Sequence, residues 1–373
     1  MRQQTTAPGG SRAWRWVDSR LGLDSLAYPI PAHANNILYT LGGITLFGIV
    51  VLVGSGIYLT QFYHADPTQA RESVAYIITT ARLGEYVRGL HFWMANLVTI
   101  TLLLHLVRVF ATGSYRAPRE LNWVIGVGLF GVMLGLVFTG TVLKWDQEGW
   151  EALQHNEEIG ELLGGAGVWF TPEFTDSTSI LERLFIAHIA ILPFLLGGLA
   201  LVHMLLVKHH GISARPGEAI AHPGHTDTRE AMEHEGYRPF TSHLVHIVGW
   251  GLVLTAAGSL LALAFGGPLG EVIDPSEEKT KPLWMFLPLY PFEDWFGIRA
   301  LLCLPIVFVA VGVGPVALER LIFRYFYKTD DLTQVLLTIG LVFMSIAMAT
   351  YVWGGAYQRF DMPAWIIGQK NVF

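Results

Sequence analysis

Cysteine is nearly absent: Cys303 is the only one in 373 residues. That excludes an internal disulfide framework and a cysteine-ligated iron–sulfur cluster held by this chain alone. No Cys-x-x-Cys-His haem-attachment motif occurs. Charge is also scarce. Asp, Glu, Lys and Arg make up 14% of the residues, against about 25% in soluble domains. The stretch from Met1 to Leu26 carries Arg2, Arg12, Arg15 and Arg20 but no apolar run, so it is not expected to be a cleaved signal peptide. These absences leave an integral membrane protein, for which no nucleic-acid partner is expected.

What the chain has in quantity is apolar sequence, 52% of it hydrophobic. Seven runs are long enough to span a bilayer, near 37–62, 90–111, 121–143, 185–207, 243–265, 298–319 and 332–353. The expected fold is therefore all-α and transmembrane, with seven helices. Charge sets the orientation. With the N-terminus inside, the inner side collects Arg12, Arg15, Arg20, Arg108, Arg116, Arg119, Lys208, Arg320 and Arg324, among others. The outer side receives the acidic loop from Lys144 to Arg183, with Asp146, Glu148, Glu151, Glu157, Glu158 and Glu161. A multi-pass protein of a prokaryotic cell (inner) membrane is expected, N-terminus cytoplasmic.

Two apolar runs each carry two histidines: His91 with His105, and His188 with His203. Ionisable side chains inside a membrane are rare and mark function. The spacings, 14 and 15 residues, correspond to roughly 21–22 Å along a helix at about 1.5 Å per residue. Both members of a pair can face one side. Both runs travel from outside to inside, so His91 should meet His188 at the outer side and His105 should meet His203 at the inner side. Neutral imidazoles are good axial ligands for haem iron, and two of them close both axial positions. Two haem b groups are thus expected, one per pair. Arg88 and Arg183 precede the outer pair, and Arg108 and Lys208 follow the inner pair. Such cations suit the anionic propionates. The remaining histidines fall in loops, and His243 and His246 read as interfacial.

Glycines repeat the spacing. Gly42 and Gly56 lie 14 apart in the first run, and Gly126 and Gly140 lie 14 apart in the third. Glycine removes a side chain where another body must approach the backbone. Clearance for a macrocycle at two depths is the expectation, with small-residue helix packing as the competing explanation.

These residues resemble cytochrome b of the quinol:cytochrome c and plastoquinol:plastocyanin oxidoreductase complexes. Arg-Gly-Leu-His-Phe-Trp (88–93), Pro-Arg-Glu-Leu-x-Trp (118–123), Lys-Trp-Asp-Gln (144–147) and His-Gly-Ile-Ser (210–213) follow the cytochrome b6 pattern from about Leu41 to Ser213. The part from about Tyr237 to Tyr351 is similar to subunit IV, fused in one chain. The resemblance implies a division into an inner-side segment 1–36, a four-helix dihaem domain 37–213, a linker 214–242, a three-helix domain 243–353 and a tail 354–373. It also implies a low-potential outer haem, a higher-potential inner haem, quinone sites, an iron–sulfur protein and a cytochrome c-like subunit or other redox partner, membrane lipid and a homodimer core.

Three positions depart from the pattern. The family's outer quinol-oxidation motif Pro-Glu-Trp-Tyr corresponds to Pro282-Leu283-Trp284-Met285, so its glutamate is Leu283. Leucine cannot accept a proton; Glu293 or Asp294 nearby are the substitutes available. The position that holds a covalent haem through cysteine in cytochrome b6 corresponds to Thr40, so no thioether-bound haem is expected. The proline before Trp-Asp-Gln is Lys144. The reading is a quinol-oxidising subunit that moves electrons across the membrane. The alternative is a related subunit without outer quinol oxidation, which passes electrons between a peripheral redox partner and an inner quinone site near His203, Lys208 and the linker. A haem-free transporter or scaffold is the third class. Acid–acetone extraction of the purified protein should remove all haem; pigment left on the polypeptide would contradict the absence of a thioether at Thr40.

Overall fold

The structure, a computed structural model, describes residues 12–22, 27–215, 228–276, 280–289, 293, 297–299, 325 and 331–353. The chain divides into two compact units, Met1–Ile298 and Arg299–Phe373. Among the described residues, five helices are long and apolar enough to cross a membrane. These are α2 (Ile37–Leu59), α4 (Gly84–Ala111), α5 (Glu120–Val142), the span Ile180–His210 and α10 (Phe240–Phe265). Their bounds match the first five expected runs to within a few residues. The run expected near 298–319 lies almost wholly outside the described residues, as does the tail 354–373. A helix does form at the last expected run, α11 (Asp331–Trp353), in the second unit. Shorter helices of the first unit are α1 (Arg12–Leu21), α3 (Ala70–Thr79), α6 (Gln147–Leu162), α7 (Ile180–Ile186), α8 (Leu192–His210) and α9 (Thr228–Glu235).

Local chemistry sets the helix ends. Asn36 accepts the Leu38 amide to start α2, and Asp146 accepts the Gly149 amide to start α6. Ser179 and Glu182 form a capping box at α7. α10 stops at Gly266, whose φ of 62° suits glycine, and the Gly266 amide returns to the Ala262 carbonyl. α7 and α8 are joined by one π-helical turn, Ala187–Ile191, in which the Leu192 amide bonds the Ala187 carbonyl. Pro193 explains the slip. It has no N–H to offer the Ile189 carbonyl and crowds it, so the ladder steps to a longer bond.

Within the first unit, α2, α4 and α10 pack together, α5 packs along α8, and α4 touches α5 more lightly. The two groups meet over Met94, Val98 and Leu102 of α4 and Met133 and Val137 of α5. These residues lie between His91 and His105 on one helix and between Gly126 and Gly140 on the other. The outer faces of the bundle are apolar and exposed: Phe194, Val245 and Leu263 point away from the protein. Such a belt suits a lipid environment.

Loops close both ends. At the His91 end, the segment after α10 is tied down through its backbone. Arg88 donates to the carbonyls of Gly267 and Pro268, Trp93 to Gly266 (2.8 Å) and Arg71 to Gly270 (2.9 Å). Asp146, fully buried, accepts the amides of both Gly149 (2.9 Å) and Gly270 (2.8 Å). At the His105 end, β1 (Pro29–Pro31) pairs antiparallel with β2 (Tyr237–Pro239), with Ile30 opposite Arg238. Buried His33 bonds Glu235 and the Ser213 carbonyl, and Arg119 donates to the His210 carbonyl (2.9 Å) and to Thr228 (2.7 Å). Buried backbone groups need partners, and these loops supply them to one another. Asp146→Ala strands two amides and should cost about 3 kcal/mol. The expected signature is faster amide exchange at Gly149 and Gly270; unchanged exchange there would refute the role.

Candidate functional site

The four intramembrane histidines fall on two spans. His91 and His105 lie on α4; His188 lies in the π turn and His203 on α8. At one end, the rings of His91 and His188 are 6.3 Å apart between centroids, at 64° to each other. A metal held about 2 Å from each imidazole nitrogen requires centroids about 6 Å apart. His105 and His203 are within electrostatic range of each other. The chain therefore brings together the pairs expected from helix direction.

At the first pair, the ring nitrogens are oriented by hydroxyls. Ser55 Oγ lies 2.9 Å from His91 Nδ1, and Thr139 Oγ1 lies 2.9 Å from His188 Nδ1. Each hydroxyl has one proton. Ser55 directs its own to the Val51 or Leu52 carbonyl (2.9 and 3.0 Å), and Thr139 directs its own to the Gly135 or Leu136 carbonyl (2.8 and 3.1 Å). Each can then accept from an imidazole Nδ1–H, the tautomer that leaves Nε2 with a lone pair. At the second pair no hydroxyl reaches Nδ1 of His105 or of His203 among the described residues; His203 has a backbone partner at Asn122.

Each expected glycine stands behind one imidazole. A Cβ at Gly42 would sit 3.0 Å from His105 Cε1, at Gly56 3.4 Å from His91 Cε1, at Gly126 3.4 Å from His203 Cε1 and at Gly140 3.0 Å from His188 Cε1. The clearance these glycines provide is taken up first by the rings, which can then lie close against α2 and α5.

The four flanking cations differ in their surroundings. Arg108 stacks over Tyr39 at 3.5 Å, with Nε and Nη2 buried and lacking partners among the described residues. Those donors fit an anionic group at this end. Arg88 is committed to the Gly267 and Pro268 carbonyls, and Arg183 to those of Trp169 and Thr171. Lys208 is exposed, with Nζ 5.8 Å from the Tyr28 ring. Thr40 is buried and bonds the Ile37 carbonyl.

Away from the histidine pairs, Leu283 packs with Met285 and Phe286 on the apolar layer of α4 and α5. Glu293 forms an ion pair with His155 of α6 at 3.0 Å; Asp294 lies outside the described residues. His243 corrects an expectation. It is buried, 5% exposed, beside Phe240 at the start of α10, because α10 turns this face onto the 3₁₀ turn Ala32–Asn35. His246 is exposed, as an interfacial residue would be.

Sequence reasoning missed the hydroxyls and the π turn. Both left a trace. Ser55 and Thr139 each immediately precede a clearance glycine, as Ser-Gly and Thr-Gly, whereas the other two glycines follow Leu41 and Ile125. Pro193, five residues after His188, marked the turn.

Membrane-length helices that hold paired imidazoles at two levels define an electron-transport haem protein of the membrane. Residues 26–211 match the family model for cytochrome b/b6/petB. The chain is 37% identical over 219 residues to the menaquinol:cytochrome c reductase cytochrome b subunit of Bacillus subtilis (strain 168), covering 54% of this chain and 98% of that one. It is 36% identical over 208 residues to cytochrome b6 of Heliobacterium mobile, covering 53% and 98%. The fold is similar to a chain of a hyperthermophilic respiratory complex III, with a TM-score of 0.65 and 20% identity over 92% of each chain. The chain belongs to the cytochrome b family. Gly140→Val should displace His188 and halve the haem content measured as pyridine haemochrome; a full complement would mean that the ring has room to retreat.

Proposed function

We propose that this chain carries electrons across a prokaryotic cell membrane as the cytochrome b subunit of a quinol-oxidising bc-type complex. One observation carries the reading: the rings of His91 and His188 lie 6.3 Å apart, a metal-bridging separation, with a hydroxyl 2.9 Å from each Nδ1. His91 and His188 would hold the outer haem b, and His105 and His203 the inner one. Bound there, the two groups supply one-electron redox centres at two depths. The protein's part is to hold the imidazoles, clear space with Gly42, Gly56, Gly126 and Gly140, and neutralise propionates. Arg108 has donors to spare for the inner haem. Arg88 and Arg183 would contribute charge from the outer rim.

In this reading the N-terminus is cytoplasmic, quinone binds at both sides, and two copies form the core of the complex. The naming of the Bacillus relative as a menaquinol:cytochrome c reductase subunit supports a quinol donor and a cytochrome c-type acceptor. An iron–sulfur protein would take the first electron at the outer side, because this chain has a single cysteine, Cys303. The inner quinone site would lie near His203, Lys208 and the residues up to α10, where buried His243 and Arg108 supply polar groups.

The apolar packing of Leu283 favours the second reading, in which outer quinol oxidation is absent. The Glu293–His155 pair supports the first, since a carboxylate joined to an imidazole can accept a proton and pass it on. Glu293→Gln should slow inhibitor-sensitive quinol oxidation by the isolated complex about 100-fold and leave both haems in place. An unaffected rate removes Glu293 from the mechanism. No outer-site activity in either the native complex or a Leu283→Glu variant supports the second reading. Separately, His91→Leu and His105→Leu should each remove one haem; loss of neither would end the proposal.

A further inference from the structure

The two imidazole pairs differ in one chemical respect that concerns the reacting metal directly. At one pair both Nδ1 atoms meet hydroxyls at 2.9 Å; at the other neither Nδ1 meets a hydroxyl among the described residues, and His203 has a backbone partner at Asn122 instead. The sequence shows why. At the first pair each hydroxyl belongs to the residue before the clearance glycine. It is Ser55 before Gly56 and Thr139 before Gly140, but Leu41 before Gly42 and Ile125 before Gly126. Leucine and isoleucine cannot accept a hydrogen bond.

Resting on the dihaem reading above, we propose that Ser55 and Thr139 are positioning residues that lower the reduction potential of the haem held by His91 and His188. A ligating imidazole that donates its second N–H to an acceptor becomes a stronger electron donor through Nε2. A stronger donor stabilises ferric iron more than ferrous iron, because the oxidised centre carries more positive charge. Both axial ligands receive the effect, and in the same direction. Neither hydroxyl needs to ionise, since each donates a hydrogen bond to a helix carbonyl. Leu41 and Ile125 leave the His105 and His203 haem without this contribution, so it holds an electron more readily. The downhill order from one side of the membrane to the other is thereby written partly into the four residues that precede the clearance glycines.

The test is an optical redox titration of the purified complex, preceded by pyridine haemochrome quantification. With two haems per chain retained, the Ser55→Ala/Thr139→Ala double variant should raise the midpoint of the His91/His188 haem. A shift of about tenfold in the ferric-to-ferrous ratio at fixed potential, ~59 mV for one electron, is expected, with the other haem unmoved. Ser55→Thr and Thr139→Ser should keep the native midpoint. The reciprocal variant Ile125→Thr should lower the midpoint of the His105/His203 haem, and it carries the test if the alanine pair fails to hold haem. Unshifted midpoints in haem-replete variants, or equal shifts of both haems, overturn the proposal. Native protein without haem overturns the dihaem reading and this inference with it.

Discussion

The structure turns on one constraint: an imidazole buried among apolar helices must be admitted and oriented. At the His91 end a hydroxyl that itself bonds a helix carbonyl lies 2.9 Å from one nitrogen of each ring. Each ring is let in by a glycine on the neighbouring helix. α2 therefore serves α4, and α5 serves α8, so the histidine pairs arise between two packed helix pairs and not within one. That division explains why α4 and α5 touch lightly and why the apolar layer of Met94, Val98, Leu102, Met133 and Val137 sits between the two levels.

The ends of the bundle hold this arrangement in place. Arg88, Trp93, Asp146 and Gln147 all bind backbone of the segment after α10. They belong to the stretches Arg-Gly-Leu-His-Phe-Trp and Lys-Trp-Asp-Gln. Those stretches thus anchor a loop as well as supplying His91. Lys144, where the family pattern has proline, forms ion pairs with Asp146 and Glu148. The departure from the pattern is accommodated within the buried polar cluster it borders.

Much of this was readable in the sequence, for physical reasons. Apolar run length gives spans directly, because lipid enforces it. The 14- and 15-residue spacings give levels, because α-helices are regular. Chain direction then gives the pairing. Other features were not readable. The π turn depends on how Pro193 resolves its clash, and periodicity alone does not choose between a kink and a slip. The burial of His243 depends on the turn of β1 and the 3₁₀ segment folding back over α10, a contact between residues some 200 positions apart in the chain. The commitment of Arg88 and Arg183 to loop carbonyls had no signal at all in their spacing from the histidines. Ser55 and Thr139 were legible only after the glycines beside them had been given a role.

Near-infrared magnetic circular dichroism of the oxidised, purified protein, read with low-temperature electron paramagnetic resonance, tests the central claim most directly. Two low-spin ferric centres, each with the charge-transfer band of two imidazole ligands, are predicted. High-spin iron, a non-imidazole ligand at either centre, or no iron signal would contradict it.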